Sequence, residues 1–233
     1  MRPWSSVPIQ ENLEELVALP PELQCLEPHP YAALGAPYGA GLSPFRLRQG
    51  VVDRLLQAQV TLQRHQAQWR FAVFDAWRPV AVQAFMVNHA IREECQRRGV
   101  DPILDSPGLR QAIAEVGRFW APPSESANTP PPHSTGGAVD LTLADAQGLE
   151  LAMGGAIDAI GPISEPLHYA AMAEQEPGSQ EALWHRRRLA LTQAMQAAGF
   201  AQHPNEWWHF SWGDQLWAWR TGAAQACYGR APD

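Results

Sequence analysis

The sequence predicts an α+β fold in which helices flank a small set of strands. Two patterns carry this prediction. Apolar residues recur at helical spacing through residues 50–66, whereas short apolar runs at 71–77, 138–143 and 207–212 are typical of strands. Because a length of 233 residues suits one large domain, we expect a single domain over residues 1–233.

Residues that break or cap helices predict the secondary structure of the first half of the chain. Residues 1–46 are rich in proline, glycine and aromatics without periodicity, so we expect an irregular N-terminal arm. Pro79 ends the first strand, and the next helix is expected from Val80 to Arg98, with the basic C-terminal end that the helix dipole favours. Ser106-Pro107 has the signature of an N-cap followed by a first-turn proline, which predicts a helix over 107–118.

Two stretches rich in loop residues and one long helix complete the predicted organisation. Residues 121–132 hold five prolines and are expected to form a loop. Residues 144–178 show little periodicity and are interpreted as a loop-rich insertion. A helix is expected over 180–198, with Gly199 at its end.

Composition limits the classes of partner. The net charge is −7, which argues against a nucleic-acid partner. No apolar run approaches the roughly 18 residues of a membrane span. Cys25, Cys95 and Cys227 are odd in number and widely spaced, so they fit neither a disulfide framework nor a CxxC zinc site. The first residues lack an apolar signal-peptide core, so we expect a cytoplasmic protein with reduced thiols. The oligomeric state stays open.

Two short segments hold the residue types of a catalytic zinc site. His133 and Asp140 lie in the first segment and His209 in the second, with Glu206 beside it. Two imidazoles and one carboxylate, with a fourth position left for water, form a common catalytic zinc arrangement. A further carboxylate near that water can take its proton. We therefore expect one Zn²⁺ per chain.

Strand alternation agrees with this zinc hypothesis. Every second residue of the strand at 138–143 is a large apolar residue, which leaves Asp140 on the opposite face. The strand at 207–212 alternates in the same way and leaves His209 on one face together with Trp207. If the two strands pair side by side, Asp140 and His209 meet.

Glu206 does not fit a continuous strand. Three residues before His209, it would face the core rather than the metal. Pro204-Asn205 supplies a turn just before it. We therefore expect Glu206 where the strand begins, turned back toward the metal.

Taken alone, each of these residues has an ordinary alternative. His133 could be a loop histidine, Glu206 a surface carboxylate and His209 a core histidine. The other histidines are expected to be solvated or hydrogen-bonded rather than metal ligands; they are His29, His65, His89, His168, His185 and His203. Gly136-Gly137 favours the zinc hypothesis, because it permits a tight turn after His133.

A third segment, Asp75-Ala76-Trp77-Arg78-Pro79, closes the first strand. Together the segments resemble the D-alanyl-D-alanine dipeptidase family of zinc metallopeptidases, the type found in vancomycin resistance. That family shows D-[AS]-[YW]-R-P, then S-x-H-x-x-G-x-A-[IV]-D-L-T-L, then E-W-W-H-[FY]. The corresponding residues here are 75–79, 131–143 and 206–210, in the same order and at similar spacing.

The resemblance implies a fold and a set of roles. The fold would be a small antiparallel sheet with flanking helices. His133, Asp140 and His209 would bind zinc, and Glu206 would be the general base and later the proton donor. Arg78 would stabilise the oxyanion, although an arginine at a strand end is more often solvated or salt-bridged. The role of Asp75 stays open between orienting Arg78 and capping the turn.

Two positions depart from the family pattern. Pro131 stands where the family usually has serine, and Ala152 where it usually has an acid before Met-Gly. Because both positions are linked to the free ammonium of the dipeptide, we expect weaker discrimination between free and N-blocked dipeptides. Asp158 or Glu165 could replace the missing acid.

The resemblance implies hydrolysis of a small D-Ala-D-Ala-type dipeptide as the activity. A D,D-carboxypeptidase, or another cell-wall peptide hydrolase of the same fold, is the alternative within enzymes and predicts an open groove. A non-catalytic zinc-binding domain is the alternative outside enzymes. Because a purely structural zinc site needs neither Glu206 nor Arg78, their presence argues against it.

Overall fold

The computed structural model describes residues 2–39 and 41–232. Short strands and longer helices alternate along the chain. The strands are β1 (Leu16–Ala18), β2 (Gln24–Cys25), β3 (Arg46–Arg48), β4 (Arg70–Asp75), β5 (Ala138–Ala144), β6 (Ala201–Gln202) and β7 (His209–Ser211). The helices are α1 (Pro30–Ala33), α2 (Gln49–His65), α3 (Val80–Arg98), α4 (Pro107–Phe119), α5 (Ala170–Gln175), α6 (Gln180–Ala197) and α7 (Gln215–Thr221).

A five-stranded sheet in the order β2-β4-β5-β7-β6 forms the centre of the fold. Its inner pairings, β4 with β5, β5 with β7 and β7 with β6, are antiparallel. Strand β2 is parallel to β4 at one edge. The predicted α+β class is therefore confirmed, with one parallel edge strand added to the expected antiparallel sheet.

The N-terminal arm is less irregular than the sequence predicts. Strand β1 pairs with β3, and β2 joins the central sheet. These strands are two or three residues long, which is too short for a periodic pattern to be visible. They depend on tertiary pairing rather than on local propensity. The assignment of one domain over the whole chain stays a prediction.

Helix boundaries agree closely with the sequence patterns. Helix α3 spans the predicted residues, and α2 and α4 differ from prediction by about one residue at their ends. The Ser106 hydroxyl accepts a hydrogen bond from the Leu109 N–H at 3.1 Å, as an N-cap does. Gly199 follows α6 with a φ of +87°, the left-handed conformation that ends many helices. In the described residues, no helix is both long and apolar enough to cross a membrane.

The two faces of the sheet pack against different helices. Val139, Leu141 and Leu143 of β5 lie in a core shared with α2 and α6. A second cluster joins α3 and α4 to Tyr31 and to Phe74 of β4. Because side chains alternate along a strand, Asp140 is turned away from the first core. The alternation predicted for β5 is therefore confirmed.

Strand β7 is shorter than predicted. Only His209 to Ser211 form the strand, whereas Trp207 is buried in the same core as Trp208 instead of sharing the face of His209. The reason is local, because the Trp207 N–H donates to the Ser164 carbonyl at 2.8 Å and leaves the ladder. Alternation within the sequence could not reveal this bond to a distant loop.

Gly137 links the turn after His133 to β7. Its carbonyl accepts a hydrogen bond from the Trp212 N–H at 2.8 Å, and an added Cβ would lie 2.7 Å from the Trp212 carbonyl oxygen. Since both partners are backbone, neither can move without disturbing the pairing of β5 with β7.

We predict that Gly137→Ala lowers the free energy of unfolding by about 1–3 kcal/mol through overpacking. Gly117→Ala is the matched control, because no atom lies within 4 Å of its added Cβ and alanine favours a helix. Urea denaturation of both metal-free variants measures the difference. Equal stability of the two variants would contradict this assignment.

Candidate active site

The pairing of β5 with β7 brings two of the predicted ligands together. Asp140 lies directly opposite His209 in the antiparallel register, as expected from the sequence. His133 comes from a short 3₁₀ turn, Pro132–Thr135, that precedes β5. Gly136 ends this turn with a φ of +72°, a conformation that glycine adopts without strain. All three predicted ligands are buried.

Hydrogen bonds on the outer side of each imidazole select the tautomer of its neutral form. His133 Nδ1 lies 2.7 Å from the Ala76 carbonyl oxygen and must donate to it. The Ser211 hydroxyl donates to Asp214 at 2.8 Å, so it accepts from His209 Nε2 at 3.3 Å. Neutral imidazole carries one N–H, and therefore His133 Nε2 and His209 Nδ1 keep free lone pairs.

Those two lone pairs and the Asp140 carboxylate converge. His133 Nε2 lies 3.2 Å from His209 Nδ1 and 3.2 Å from Asp140 Oδ2, and His209 Nδ1 lies 3.0 Å from Asp140 Oδ1. Ligand atoms about 2.0–2.2 Å from a tetrahedral zinc lie roughly 3.3–3.6 Å apart. Three buried ligand atoms at these separations suit a bound cation, and two imidazole nitrogens with one carboxylate fit Zn²⁺.

Among residues 2–39 and 41–232, these three residues form the cluster that could hold a metal ion. The other histidines lie outside it, in agreement with their sequence interpretation. His29 donates to Asp75 at 3.0 Å, and His203 lines the pocket without joining the ligand set. Ser211 and Asp214 hold His209 from behind, which is the usual role of groups around metal-bound histidine.

The Arg78 side chain is buried and held by hydrogen bonds to other side chains, rather than exposed to solvent. Its Nε and one terminal nitrogen donate to Asp75 Oδ2 at 3.0 and 2.7 Å, and its other terminal nitrogen donates to Gln83 at 2.7 Å. The first terminal nitrogen also lies 3.5 Å from Asp140. Asp75 therefore orients Arg78, which answers the question that the sequence left open.

Asp75 itself is fully buried and ionised. Burial opposes its charge, but Arg78 and the hydrogen bond from His29 outweigh burial and lower the pKa of Asp75 below its usual value. The Tyr38 hydroxyl donates to the same carboxylate at 3.1 Å. Asp75 therefore holds Arg78 next to the metal cluster as a fixed positive charge.

Glu206 lies just before β7 and faces the cluster, as expected. One of its oxygens lies 3.7 Å from His209 Nδ1, and the other lies 3.5 Å from His203 Nδ1. Burial, followed by the negative charge of Asp140, raises the pKa of Glu206 well above its usual value. Glu206 therefore lies beside the cluster but is not part of it.

The pocket over this cluster contains residues that the sequence did not single out. They come from distant parts of the chain and include Arg2, Trp4, Gln83, Trp120 and His203. No local pattern marks them, because only tertiary packing brings them together. The pocket tryptophans are Trp4, Trp120 and Trp208.

Asp158 supplies a second acidic group to the pocket wall. Pro131 and Ala152, the two departures from the family pattern, are not among the residues that line this pocket, and neither is Glu165. Burial and the charge of Asp140 raise the pKa of Asp158 to about 7. The Tyr31 hydroxyl donates a hydrogen bond to the Asp158 carboxylate at 2.7 Å. The backbone of Asp158 has a φ of +65°. Asp158 is therefore a candidate for the replacement acid considered from the sequence, and the expectation of weaker amine discrimination stays a prediction.

Comparison with known proteins identifies the family. The family model of Peptidase_M15, described as D-Ala-D-Ala dipeptidase, matches residues 24–226. The chain belongs to the Peptidase_M15 family. It is therefore a zinc metallopeptidase, and the resemblance stated from its motifs is confirmed.

Two relatives of this M15 peptidase carry the name D-alanyl-D-alanine dipeptidase. The protein from Synechocystis sp. (strain ATCC 27184 / PCC 6803 / Kazusa) is 43% identical over 224 residues, which cover 94% of this chain and 90% of the relative. The protein from Escherichia coli (strain K12) is 38% identical over 78 residues, which cover 34% of this chain and 36% of the relative.

Two solved structures resemble the M15 chain at low identity. One is the vancomycin resistance D,D-pentapeptidase VanY from a VanB-type cassette in complex with Zn(II), with a TM-score of 0.46, 14% identity and 96% of both chains covered. The other is the LdcB LD-carboxypeptidase, with a TM-score of 0.39, 15% identity, and 86% of this chain and 70% of that chain covered. Neither similarity is strong enough to carry an argument about activity.

We predict that one zinc binds per chain and that His133→Ala or His209→Ala abolishes this binding, because each removes one of three ligands. Elemental analysis of the purified variants measures the zinc content. His65→Ala is the control, since His65 is exposed at the end of α2. Full zinc content in either ligand variant would show that the ion binds elsewhere.

Proposed function

We propose that this chain hydrolyses D-Ala-D-Ala-type dipeptides, with His133, Asp140 and His209 binding one Zn²⁺. The observation that carries the proposal is the convergence of three buried potential ligands beside Glu206, which is not a ligand, and Arg78, whose guanidinium is held in place by Asp75. Membership of the dipeptidase family and 43% identity to a curated dipeptidase support the substrate class.

Glu206 is proposed as the group that moves protons. When bound, zinc supplies Lewis-acid polarisation of the peptide carbonyl and lowers the pKa of nearby water. Glu206 takes one proton from the attacking water and donates it to the nitrogen of the departing D-alanine. Burial raises the pKa of Glu206 above that of an ordinary carboxyl, which makes the ionised group a stronger base toward the attacking water.

Arg78 is proposed as the stabiliser of the negative charge that develops on the peptide oxygen. Because Asp75 and Gln83 hold its guanidinium in place, little reorganisation is needed during the reaction. Its closest nitrogen lies 3.5 Å from the ligand Asp140, so its charge is beside the metal cluster.

Asp158 is proposed as the partner of the free ammonium group of the dipeptide. It is a buried carboxylate in the same pocket as Glu206 and Arg78, and a positive charge beside it would favour its ionised form. A dipeptide with a free amine then leaves no unpaired charge in the pocket, whereas an N-acylated peptide leaves Asp158 without a cation.

The alternative D,D-carboxypeptidase activity requires space for a longer peptide. The cavity directly over the cluster has a volume of about 30 Å³, and the small substrate is supported by membership of the dipeptidase family. An adjoining cavity of about 400 Å³ shares Trp120 and Asp158 with it and is the place where a longer peptide would extend. We favour the dipeptide, and with it the small cytoplasmic substrate expected from the sequence.

One assay tests the function directly. The zinc-loaded protein is incubated with D-Ala-D-Ala, L-Ala-L-Ala and N-acetyl-D-Ala-D-Ala, and free alanine is measured. We expect cleavage of D-Ala-D-Ala, which is lost on chelation and restored by zinc. Preferential cleavage of the acylated peptide would instead establish the carboxypeptidase alternative, and no cleavage of any peptide would favour a non-catalytic zinc-binding domain.

We predict that Glu206→Gln retains zinc but lowers kcat for D-Ala-D-Ala by about 10²–10⁴-fold, because general-base catalysis is lost. Elemental analysis and steady-state kinetics measure the two effects. The matched control is Glu176→Gln, which changes an exposed carboxylate. Near-normal kcat in Glu206→Gln would assign the base to another group.

We predict that Asp158→Asn lowers kcat/KM for D-Ala-D-Ala by roughly 10–100-fold, the range expected for a charge-assisted hydrogen bond. Turnover of the N-acetyl form should change much less, because that substrate has no ammonium group. Glu165→Gln, outside the pocket, is the control. An equal loss on both substrates would mean that Asp158 shapes the pocket rather than binding the amine.

A further inference from the structure

Arg2 is a second cation in the catalytic pocket, contributed by the opposite end of the chain from β7. It lines the same cavity as Glu206 and Arg78. One terminal nitrogen donates to His203 Nε2 at 3.3 Å, and the other donates to the Gly117 carbonyl oxygen at 3.2 Å. The guanidinium lies over the Trp4 ring at 5.2 Å. Arg2 is thus fixed in place by α4, by its own segment and by the residues before β7.

The two arginines of the pocket differ in how their donors are used. A guanidinium has five N–H donors. Arg78 directs its Nε and both terminal nitrogens to side chains of the protein. Arg2 directs its two hydrogen bonds to neutral acceptors, and its buried Nε has no partner among the residues that the structure describes. Arg2 therefore has further N–H groups that could bind a ligand. Its positive charge is not neutralised by the hydrogen bonds to His203 and Gly117.

Glu206 connects this cation to the reaction. In a dipeptide, the carbon that carries the terminal carboxylate is bonded to the leaving nitrogen. Since Glu206 is proposed to protonate that nitrogen, a cation that binds the carboxylate must lie close to Glu206. Arg2 and Glu206 contact the same ring, at His203 Nε2 and Nδ1 respectively. Asp158 lies at a different wall, beside Tyr31.

We propose that Arg2 is a specificity-determining residue that binds the C-terminal carboxylate of the dipeptide, while Asp158 binds its ammonium group. The inference rests on the proposed function and deepens it. Guanidinium and carboxylate match in charge and in the geometry of their donors and acceptors. With both ends of a zwitterion recognised, the pocket selects a free dipeptide over a peptide that is blocked at its C-terminus.

The first test compares two substrates and four proteins. The substrates are D-Ala-D-Ala and D-Ala-D-alaninamide, which has no terminal carboxylate. The proteins are the wild type, Arg2→Gln, Arg2→Lys and the control Arg220→Gln, which removes an exposed charge on α7. We expect Arg2→Gln to raise KM for D-Ala-D-Ala by about 10–100-fold, with a smaller effect on kcat. Turnover of the amide should hardly change, and Arg2→Lys should restore part of the preference.

A parallel loss on both substrates would overturn the proposal, because it would mean that Arg2 only shapes the wall of the pocket. Unchanged kinetics in Arg2→Gln would overturn it as well. The melting temperature of each variant shows whether it is folded. Arg220→Gln should behave like the wild type on both substrates.

A binding measurement separates this proposal from the proposed function. Calorimetry with zinc-loaded Glu206→Gln measures the affinity for D-Ala-D-Ala without turnover. Introducing Arg2→Gln as a second substitution should raise the Kd for D-Ala-D-Ala about 10–100-fold, while the zinc content stays unchanged. Equal affinities would refute the role of Arg2 even if the wild type cleaves the dipeptide. Failure of the wild type to cleave would refute the proposed function, while a loss of binding would still support Arg2 as a carboxylate-binding residue.

Discussion

The antiparallel pairing of β5 with β7 is the constraint on which the rest of the site depends. It places Asp140 opposite His209, and the turn before β5 brings His133 to the same point. Each strand buries its apolar residues on one face and turns its ligand to the other. The hydrophobic core that stabilises the sheet therefore also fixes the positions of the atoms proposed to bind the metal.

A second group of residues holds the charges around this cluster. Asp75 ends β4, accepts hydrogen bonds from His29 and Tyr38, and orients Arg78. Ser211 and Asp214 perform the equivalent task for His209. Buried polar groups of this kind are costly unless every partner is present, so the network has one well-defined arrangement. The positive charge of Arg78 is thereby in place before substrate arrives.

Periodicity predicts α2, α3 and β5, because that signal lies within continuous segments. The zinc site rests on the residue types of two separate segments and on the resemblance to the dipeptidase family, and it stays a proposal. The ends of β7 and the strands of the N-terminal arm were missed. Both depend on bonds to distant residues, such as that from Trp207 to Ser164. Residues that line the pocket from remote segments, Arg2 above all, carry no local signal either.

An acid that would bind the ammonium group is expected from the family pattern, and its position in this chain stays a prediction. The sequence suggested that its loss at position 152 would weaken amine recognition. In the folded chain Ala152 does not line the pocket, whereas Asp158, a few residues later in the same loop, does. A comparison of motifs counts positions along the chain, but the pocket is shaped by the path of the loop.

The central claim is that zinc binds between His133, Asp140 and His209 and nowhere else that matters for catalysis. Anomalous diffraction from crystals of the zinc-loaded protein, collected on both sides of the zinc absorption edge, tests it most directly. The predicted result is one peak about 2.0–2.2 Å from His133 Nε2, His209 Nδ1 and an Asp140 oxygen, with Glu206 outside the coordination shell. A peak coordinated by Glu206, or by a different set of residues, would contradict the claim.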